Sequence, residues 1–157
     1  MIFVIDDRWL ILPIFVAMDT LNFEHVVREL NERTSDTLMQ TLDIRYTIAG
    51  EYFLEATMPV NSKVHQPYGY LHGGASMALA ESVASAASHI FAGQGNKVLG
   101  LEFSANHLKT MRSGMVTARA EAIHMGKTTH LWQIRITDEE NNLISLCKLT
   151  NIVLSRP

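Results

Sequence analysis

The sequence predicts a single α+β domain in which one long helix packs on a curved antiparallel sheet of five to six strands. Three observations predict it: an Ala- and Ser-rich segment from Gly73 to about Phe91, segments of alternating apolar residues on either side of it, and short turns between those segments. Ala-rich composition favours a helix, and alternation is typical of strands. Because parallel strands need long connections, the short turns indicate an antiparallel sheet. The long helix must bury a face against that sheet.

The predicted elements follow one another as a short helix, two strands, the long helix and four strands. Apolar residues at helical spacing predict the short helix between Thr20 and Leu30. The first two strands are predicted at Leu42–Ala49 and Glu51–Pro59, with a turn between them. The last four strands are predicted to be joined by hairpins, with turns at Met111–Gly114, Met125–Lys127 and Asp138–Asn142. The first of these four is expected to place on one face Leu99, Leu101, Phe103 and Ala105.

Composition narrows the class of protein. A chain of 157 residues with 47% hydrophobic and 18% charged residues is ordinary for one globular domain. The net charge of −3, without a basic stripe, argues against a nucleic-acid partner. Cys147 is the only cysteine, which excludes an internal disulfide and fits a cytoplasmic location. The sequence lacks zinc-type Cys/His spacing and a G-x-S-x-G motif, so we expect neither a metal nor an α/β-hydrolase.

Residues 1–18 are predicted to be an extension outside the domain, which spans residues 19–157. Their apolar stretch, Trp9–Met18, is too short to cross a bilayer and is interrupted by Pro13. Acidic residues precede the lone Arg8, unlike the basic start of a signal peptide. We expect a poorly ordered extension without stable membrane insertion, with a peripheral membrane anchor as the alternative.

The long helix carries a single formal charge, Glu81, between Gly73 and Asn96. A solvated helix face normally carries several charges. Glu81 is therefore either a partly exposed residue that solubilises one face, or a desolvated carboxylate kept for chemistry, with Ser85 one turn further on to orient it or its water. A helical wheel places Leu79, Val83, Ala86 and Ile90 on one face and Glu81, Ser85 and Ser88 on the other.

His72, Gly73 and Gly74 stand at the entrance of this helix. Glycines leave backbone N–H groups uncovered, and the first N–H groups of a helix have no partner within it. Such groups can bind a carbonyl oxygen that becomes negative during attack. Taken alone, the same three residues also fit an ordinary loop-to-helix transition.

Four segments together carry a family resemblance: Gln66–Ser76 (QPYGYLHGGAS), Leu79–Ser82 (LAES), Gly100–Glu102 (GLE) and Asn106–His107 (NH). They resemble the hotdog-fold acyl-CoA thioesterases of the phenylacetate-type branch, which includes the thioesterases of menaquinone synthesis and of enterobactin proofreading. The similarity extends over roughly Leu42 to Leu154.

The resemblance implies a hotdog fold, hydrolysis of an acyl-CoA thioester, and a role for each matching residue. It implies that Glu81 acts as general base or nucleophile and that the Gly74 amide binds the oxyanion. It further implies catalytic positions for Gln66, His72 and Ser85. Contacts to substrate and coenzyme A are implied for Ser82, Gly100, His107, Leu108, Lys109, Thr110, His124, Met125, Gly126, Lys127, Thr128 and Thr129. The turn from His124 reads HMGKTT, which departs from the Leu-Gly-Ser/Arg-like sequence of many relatives and puts its nucleotide contacts in doubt.

Further expectations concern partners and charge. The resemblance implies no cofactor beyond the coenzyme A of the substrate, and a homo-oligomer, a dimer or dimer of dimers, with sites between subunits. Lys109, Arg112 and Lys127 are expected near two adjacent hairpin turns, where they either meet the phosphates of coenzyme A or are ordinary surface charges.

Two other functions and the identity of the acyl group stay open at this point. The architecture also suits an enoyl-CoA hydratase or dehydratase, or a non-catalytic acyl-CoA sensor. An aromatic acyl group such as 1,4-dihydroxy-2-naphthoyl is the first hypothesis. Tyr68 and Tyr70 either stack on such a group or simply pack their loop.

Overall fold

The chain forms the predicted order of a short helix, two strands, a long helix and four strands. The structure, a computed structural model, describes residues 22–93 and 95–155, so the predicted extension at residues 1–18 lies outside the described residues. The elements are α1 Phe23–Glu32, α2 Leu38–Thr41, β1 Arg45–Gly50, β2 Phe53–Val60, a 3-10 turn Ser62–Val64, α3 Gly73–Ala92, β3 Asn96–His107, β4 Gly114–Met125, β5 Thr129–Thr137 and β6 Leu143–Ser155.

The six strands form one antiparallel sheet in the order β1-β2-β4-β5-β6-β3. The predicted hairpins between β4 and β5 and between β5 and β6 are confirmed. The predicted hairpin at Met111–Gly114 is wrong, because β3 pairs with β6 at the far edge of the sheet. Residues 108–113 cross from that edge to β4. Three strand spacings amount to about 14 Å, which six residues span easily, so turn length alone did not identify the neighbour of β3.

One strand departs from regular alternation. The pairing of β3 with β6 shifts between Gly100 and Glu102, so Leu101 is the extra residue of a bulge and is 59% exposed. The predicted single face for Leu99, Leu101, Phe103 and Ala105 is therefore wrong. Before the bulge Val98, and not Leu99, is buried, whereas after it Phe103 and Ala105 pair with the buried Leu149 and Cys147. The same bulge sets Gly100 opposite Asn151 of β6.

The sheet curls around α3 and buries more of it than one face. Leu79, Val83, Ala86 and Ile90 are buried, as the helical wheel predicts. Ser88 is fully buried as well, although the wheel placed it on the opposite face with Glu81. A curved sheet contacts a helix over a wide arc, whereas the helical wheel was interpreted as if the sheet were flat. Residues on more than one side of α3 are therefore buried. Among the described helices, none has the length and apolar character needed to cross a membrane.

Candidate active site

Glu81 lies half-buried on α3, against the edge strand β3. Its Oε1 is 3.7 Å from the point where a Cβ on Gly100 would stand, and Asn151 Oδ1 is 3.8 Å from the same point. Leu149 Cδ1, also at 3.8 Å, completes the surroundings. We call this space the Gly100 gap. Among the described residues, β3 has no neighbouring strand on its outer side, so the carboxylate stands close to the open edge of the sheet.

The helix entrance, His72 to Gly74, is built by a side-chain cap. His72 has extended backbone angles, φ −72° and ψ 131°, and its Nδ1 accepts a hydrogen bond from the Gly74 N–H at 2.8 Å. Ala75 N and Ser76 N donate instead to the His72 carbonyl. The Gly74 N–H therefore points out of the helix, as an oxyanion donor must. A carbonyl oxygen that binds it has to displace the exposed imidazole of His72.

His107, at the end of β3, packs directly on the helix entrance. Its Nε2 is 2.6 Å from the position that a Cβ on Gly73 would occupy, and its Nδ1 forms a 2.9 Å hydrogen bond with Ser145 Oγ. The close approach of this ring, and not an unusual backbone angle, is what requires glycine at position 73. The structure thus places His107 against Gly73 at the start of α3.

Gly73→Ala should lower kcat/KM by about a hundredfold, since a new methyl group displaces the His107 ring and small displacements near reacting groups have effects of this size. Alanine is the better helix former, but displacing the His107 ring also disturbs its packing, so we expect a modest fall in melting temperature and compare activities where both proteins are folded. Gly74→Ala is the matched control, because its Cβ meets only the exposed His72 imidazole, at 3.0 Å. Wild-type kinetics for Gly73→Ala would show that the position of His107 is immaterial.

The loop that contains Gln66 is closed by its own hydrogen bonds. Gln66 N donates to Tyr70 O at 2.8 Å, Gly69 N donates to Gln66 O at 2.9 Å, and Tyr68 N donates to Gln66 Oε1. The amide of Gln66 is thus turned toward its own loop. Arg112 clamps this loop: its guanidinium lies 3.9 Å over the Tyr70 ring and donates to Tyr68 O at 3.3 Å. Arg112, a candidate for phosphate binding in the sequence, here holds the loop before the helix entrance.

The two helix serines differ in their surroundings. Ser82 Oγ donates to the Ala78 carbonyl at 2.7 Å, and its own carbonyl accepts from Tyr46 Oη at 3.3 Å. Ser85, one turn after Glu81, is half-buried. Ser82 is therefore engaged within α3 and with β1.

Apart from Gly100, which lies within β3, the predicted contacts to coenzyme A fall into two groups at opposite ends of the sheet. His107 to Thr110 follow the end of β3 beside the helix entrance, with Lys109 Nζ donating to Asn142 Oδ1 at 3.0 Å. The turn from His124 to Thr129 joins the far ends of β4 and β5. A 12-residue strand such as β4 spans about 36 Å. The expectation that Lys109 and Lys127 lie near adjacent turns is therefore wrong within one chain.

A cleft of about 460 Å³ lies beside the turn between β4 and β5, near the C-terminal end of α3. Tyr52 and Phe91 stack in its wall with ring centroids 5.6 Å apart. His130 is buried there, and burial lowers the pKa of its ring, so the ring is uncharged at neutral pH. Other lining residues are Ala92, Asn96, Met125, Gly126, Lys127 and Val153.

Two further groups of side chains bear on the chemistry of the site: potential metal ligands and the Cys147 thiol. Across residues 22–93 and 95–155, no cluster of three or more His, Cys, Asp or Glu side chains is arranged to hold a metal ion. Burial raises the pKa of the Cys147 thiol to about 11, so this residue is not a thiolate nucleophile at neutral pH.

The comparisons with known proteins agree with this geometry. Residues 68–145, which include the helix entrance and Glu81, match the family model of the Thioesterase superfamily. A 1,4-dihydroxy-2-naphthoyl-CoA hydrolase of Escherichia coli is 42% identical over 125 residues, which make up 80% of this chain and 91% of that protein. The chain belongs to the thioesterase superfamily.

Two further relatives support the family and the fold. The proofreading thioesterase EntH of Cronobacter turicensis is 40% identical to this thioesterase, over 80% of this chain and 91% of its own. The crystal structure of a thioesterase from Haemophilus influenzae superposes with a TM-score of 0.80 at 43% identity, covering 82% of this chain and 90% of that one. The predicted hotdog fold, with its long helix on a six-stranded antiparallel sheet, and the predicted activity of a thioester hydrolase are confirmed.

Sequence reasoning did not single out several polar residues of this thioesterase that border the site. Ser145 holds His107, and Asn151, fully buried on β6, reaches the Gly100 gap. One signal was present: Asn151 stands in an alternating row along β6 between two apolar residues, Leu149 before it and Val153 after it. A buried amide in such a row needs partners or a task.

Proposed function

We propose that this thioesterase hydrolyses an aromatic acyl-CoA in the cytoplasm without a cofactor, with 1,4-dihydroxy-2-naphthoyl-CoA of menaquinone synthesis as the first candidate substrate. The relative that shares 42% identity bears that activity in its name. Tyr68, which is 81% exposed, and Tyr70 stand in the loop before the helix entrance, where an aromatic acyl group can stack.

The observation that carries the proposal is the Glu81 carboxylate at the Gly100 gap. A water oxygen adds to the thioester carbon while its proton passes to Glu81, and the Gly74 N–H binds the oxygen that becomes negative. The C–S bond then breaks, the thiolate of coenzyme A takes up the proton, and the free acid is left. In the alternative route, Glu81 attacks the carbon itself and water opens the resulting anhydride. Label found in Glu81 after a single turnover in ¹⁸O water establishes the anhydride route, because water oxygen enters Glu81 only by attack on the Glu81 carbonyl carbon of the anhydride.

We further propose that each site is shared by two copies of the chain. Gly74 and Glu81 are seven residues apart on α3, a rise of about 10 Å. The Gly74 N–H also points toward the helix start, away from Glu81. A single thioester carbonyl cannot accept a hydrogen bond from the Gly74 N–H and also lie within reach of the Glu81 carboxylate of the same helix. A second copy has to supply the other half.

The edge strand β3 suggests how the copies meet. An exposed strand edge is a template for pairing with another chain, and a two-fold pairing of β3 with itself is antiparallel. The partner's helix then runs the other way, with its entrance on the side of Glu81. The same pairing carries the partner's end of β3, with its His107 to Thr110 segment, toward the turn at His124 to Thr129. The two separated groups of predicted coenzyme A contacts would meet across the dimer, and two such dimers would form the expected tetramer.

A substrate panel tests the proposed activity. Free thiol released from 1,4-dihydroxy-2-naphthoyl-CoA, benzoyl-CoA and octanoyl-CoA is followed with a thiol reagent, to which the buried Cys147 contributes little. We expect kcat/KM for the naphthoyl substrate to exceed that for octanoyl-CoA by at least about tenfold. A preference for octanoyl-CoA would contradict the substrate class. Saturable binding without thiol release, or hydration of an enoyl-CoA without thiol release, would contradict hydrolysis.

A further inference from the structure

A buried chain of three polar side chains links the sheet to the Gly100 gap. Trp132 Nε1 of β5 donates to Ser88 Oγ of α3 at 2.6 Å, and Asn151 Nδ2 of β6 lies 2.7 Å from the same Ser88 Oγ. Trp132, Ser88 and Asn151 are each fully buried. The other end of the Asn151 amide, Oδ1, is also buried and has no hydrogen-bond partner among the described residues. That end is the one 3.8 Å from the Gly100 Cβ position, beside Glu81.

The chemistry of the chain determines which way the Asn151 amide points. Indole N–H is a donor only, so the hydrogen bond from Trp132 to Ser88 has a fixed direction. With Asn151 Nδ2 toward Ser88, the hydroxyl accepts two hydrogen bonds and a buried amide oxygen faces a carboxylate without a donor. The shape of an amide does not distinguish its oxygen from its nitrogen. Turned by 180°, Asn151 Oδ1 accepts from the Ser88 hydroxyl and its NH₂ group faces the gap.

We propose that Asn151 is a positioning residue for Glu81, whose amide NH₂, aligned by Ser88 and Trp132, donates into the Gly100 gap and orients the carboxylate. The proposal rests on the catalytic role proposed for Glu81. Both groups lie within 4 Å of one point, and glycine at position 100 leaves that point free of a side chain. A donor there stabilises the carboxylate in one rotamer, whereas an orphaned acceptor would repel it.

Asn151→Leu tests the proposal, because leucine keeps the volume of the side chain and removes the amide. We expect kcat to fall about tenfold or more, as for the loss of one hydrogen bond to a charged group, with KM changed less than about twofold. Ser88→Ala, which frees the amide to rotate, should lower kcat by a smaller factor in the same direction. Cys147→Ala, on the same strand and equally buried, is the control for packing and should leave kcat near the wild-type value.

A double-mutant cycle separates positioning from structure. In a Glu81→Gln background, Asn151→Leu should cost no further activity in single-turnover hydrolysis, because the carboxylate on which it acts is gone. An equal loss in both backgrounds, or a wild-type kcat for Asn151→Leu, would overturn the proposal. If Asn151→Leu does not melt cooperatively, the same cycle is run with Ser88→Ala. An equal loss of activity in the wild-type and Glu81→Gln backgrounds would again overturn the proposal. Wild-type turnover of Glu81→Gln alone would instead overturn the role of Glu81 itself, and this inference with it.

Discussion

Glu81→Ala is expected to lower kcat by about a thousandfold while the protein keeps its fold. General base or nucleophilic catalysis by one side chain commonly contributes a factor of about 10² to 10⁴, and no other carboxylate is assigned to the Gly100 gap. Glu81 is half-buried at the edge of the packed arc of α3, so its truncation opens no core cavity. Single-turnover hydrolysis gives the rate, and circular dichroism and thermal melting report the fold.

Two variants sharpen this prediction. Glu51→Ala removes an exposed carboxylate in the turn after β1 and should leave kcat unchanged. Glu81→Gln keeps the shape of the side chain and removes its charge, so its loss should approach that of alanine. If both Glu81 variants hydrolyse substrate at the wild-type rate, the catalytic assignment is wrong.

The fold was predictable because local patterns agreed with one another. The Ala- and Ser-rich segment became α3, and the alternation in Phe53–Val60 became a strand with every second residue buried. The position of β3 was not predictable from turn length, because a six-residue connection fits a hairpin and a crossing equally. The bulge at Leu101 was missed because the apolar alternation from Leu99 to Ala105 is unbroken in the sequence, whereas the pairing shifts by one residue and places Leu99 and Phe103 on opposite faces.

The candidate site was predictable where a residue stood out against its neighbours. Glu81 did so as the single charge of a helix, and the glycines did so at its entrance. Ser88 did not, because its burial depends on the curl of the sheet, which a helical wheel ignores, and Asn151 was marked only as a polar residue within the alternation of β6. The separation of Lys109 from Lys127 follows from strand order, and the proposed sharing of each site depends on a second copy of the chain. Neither can be read from the order of residues in one chain.

Mixing two inactive variants tests most directly the claim that Glu81 of one copy acts with the helix entrance of another. Gly74→Pro removes the N–H at the entrance, where proline is tolerated in the first turn of a helix, and should lower kcat by about 10² to 10³. Gly74→Ala keeps the N–H and serves as its control. Each homodimer, of Glu81→Ala or of Gly74→Pro, then has two damaged sites.

A mixed dimer has one site with both defects and one site with none. After unfolding and refolding an equimolar mixture, half of the dimers are mixed, so we predict a return of about a quarter of wild-type activity. The measurement is hydrolysis of the acyl-CoA substrate by the refolded mixture, compared with each variant refolded alone. Activity no greater than the sum of the two variants, in a mixture shown to contain mixed dimers, would contradict the shared site.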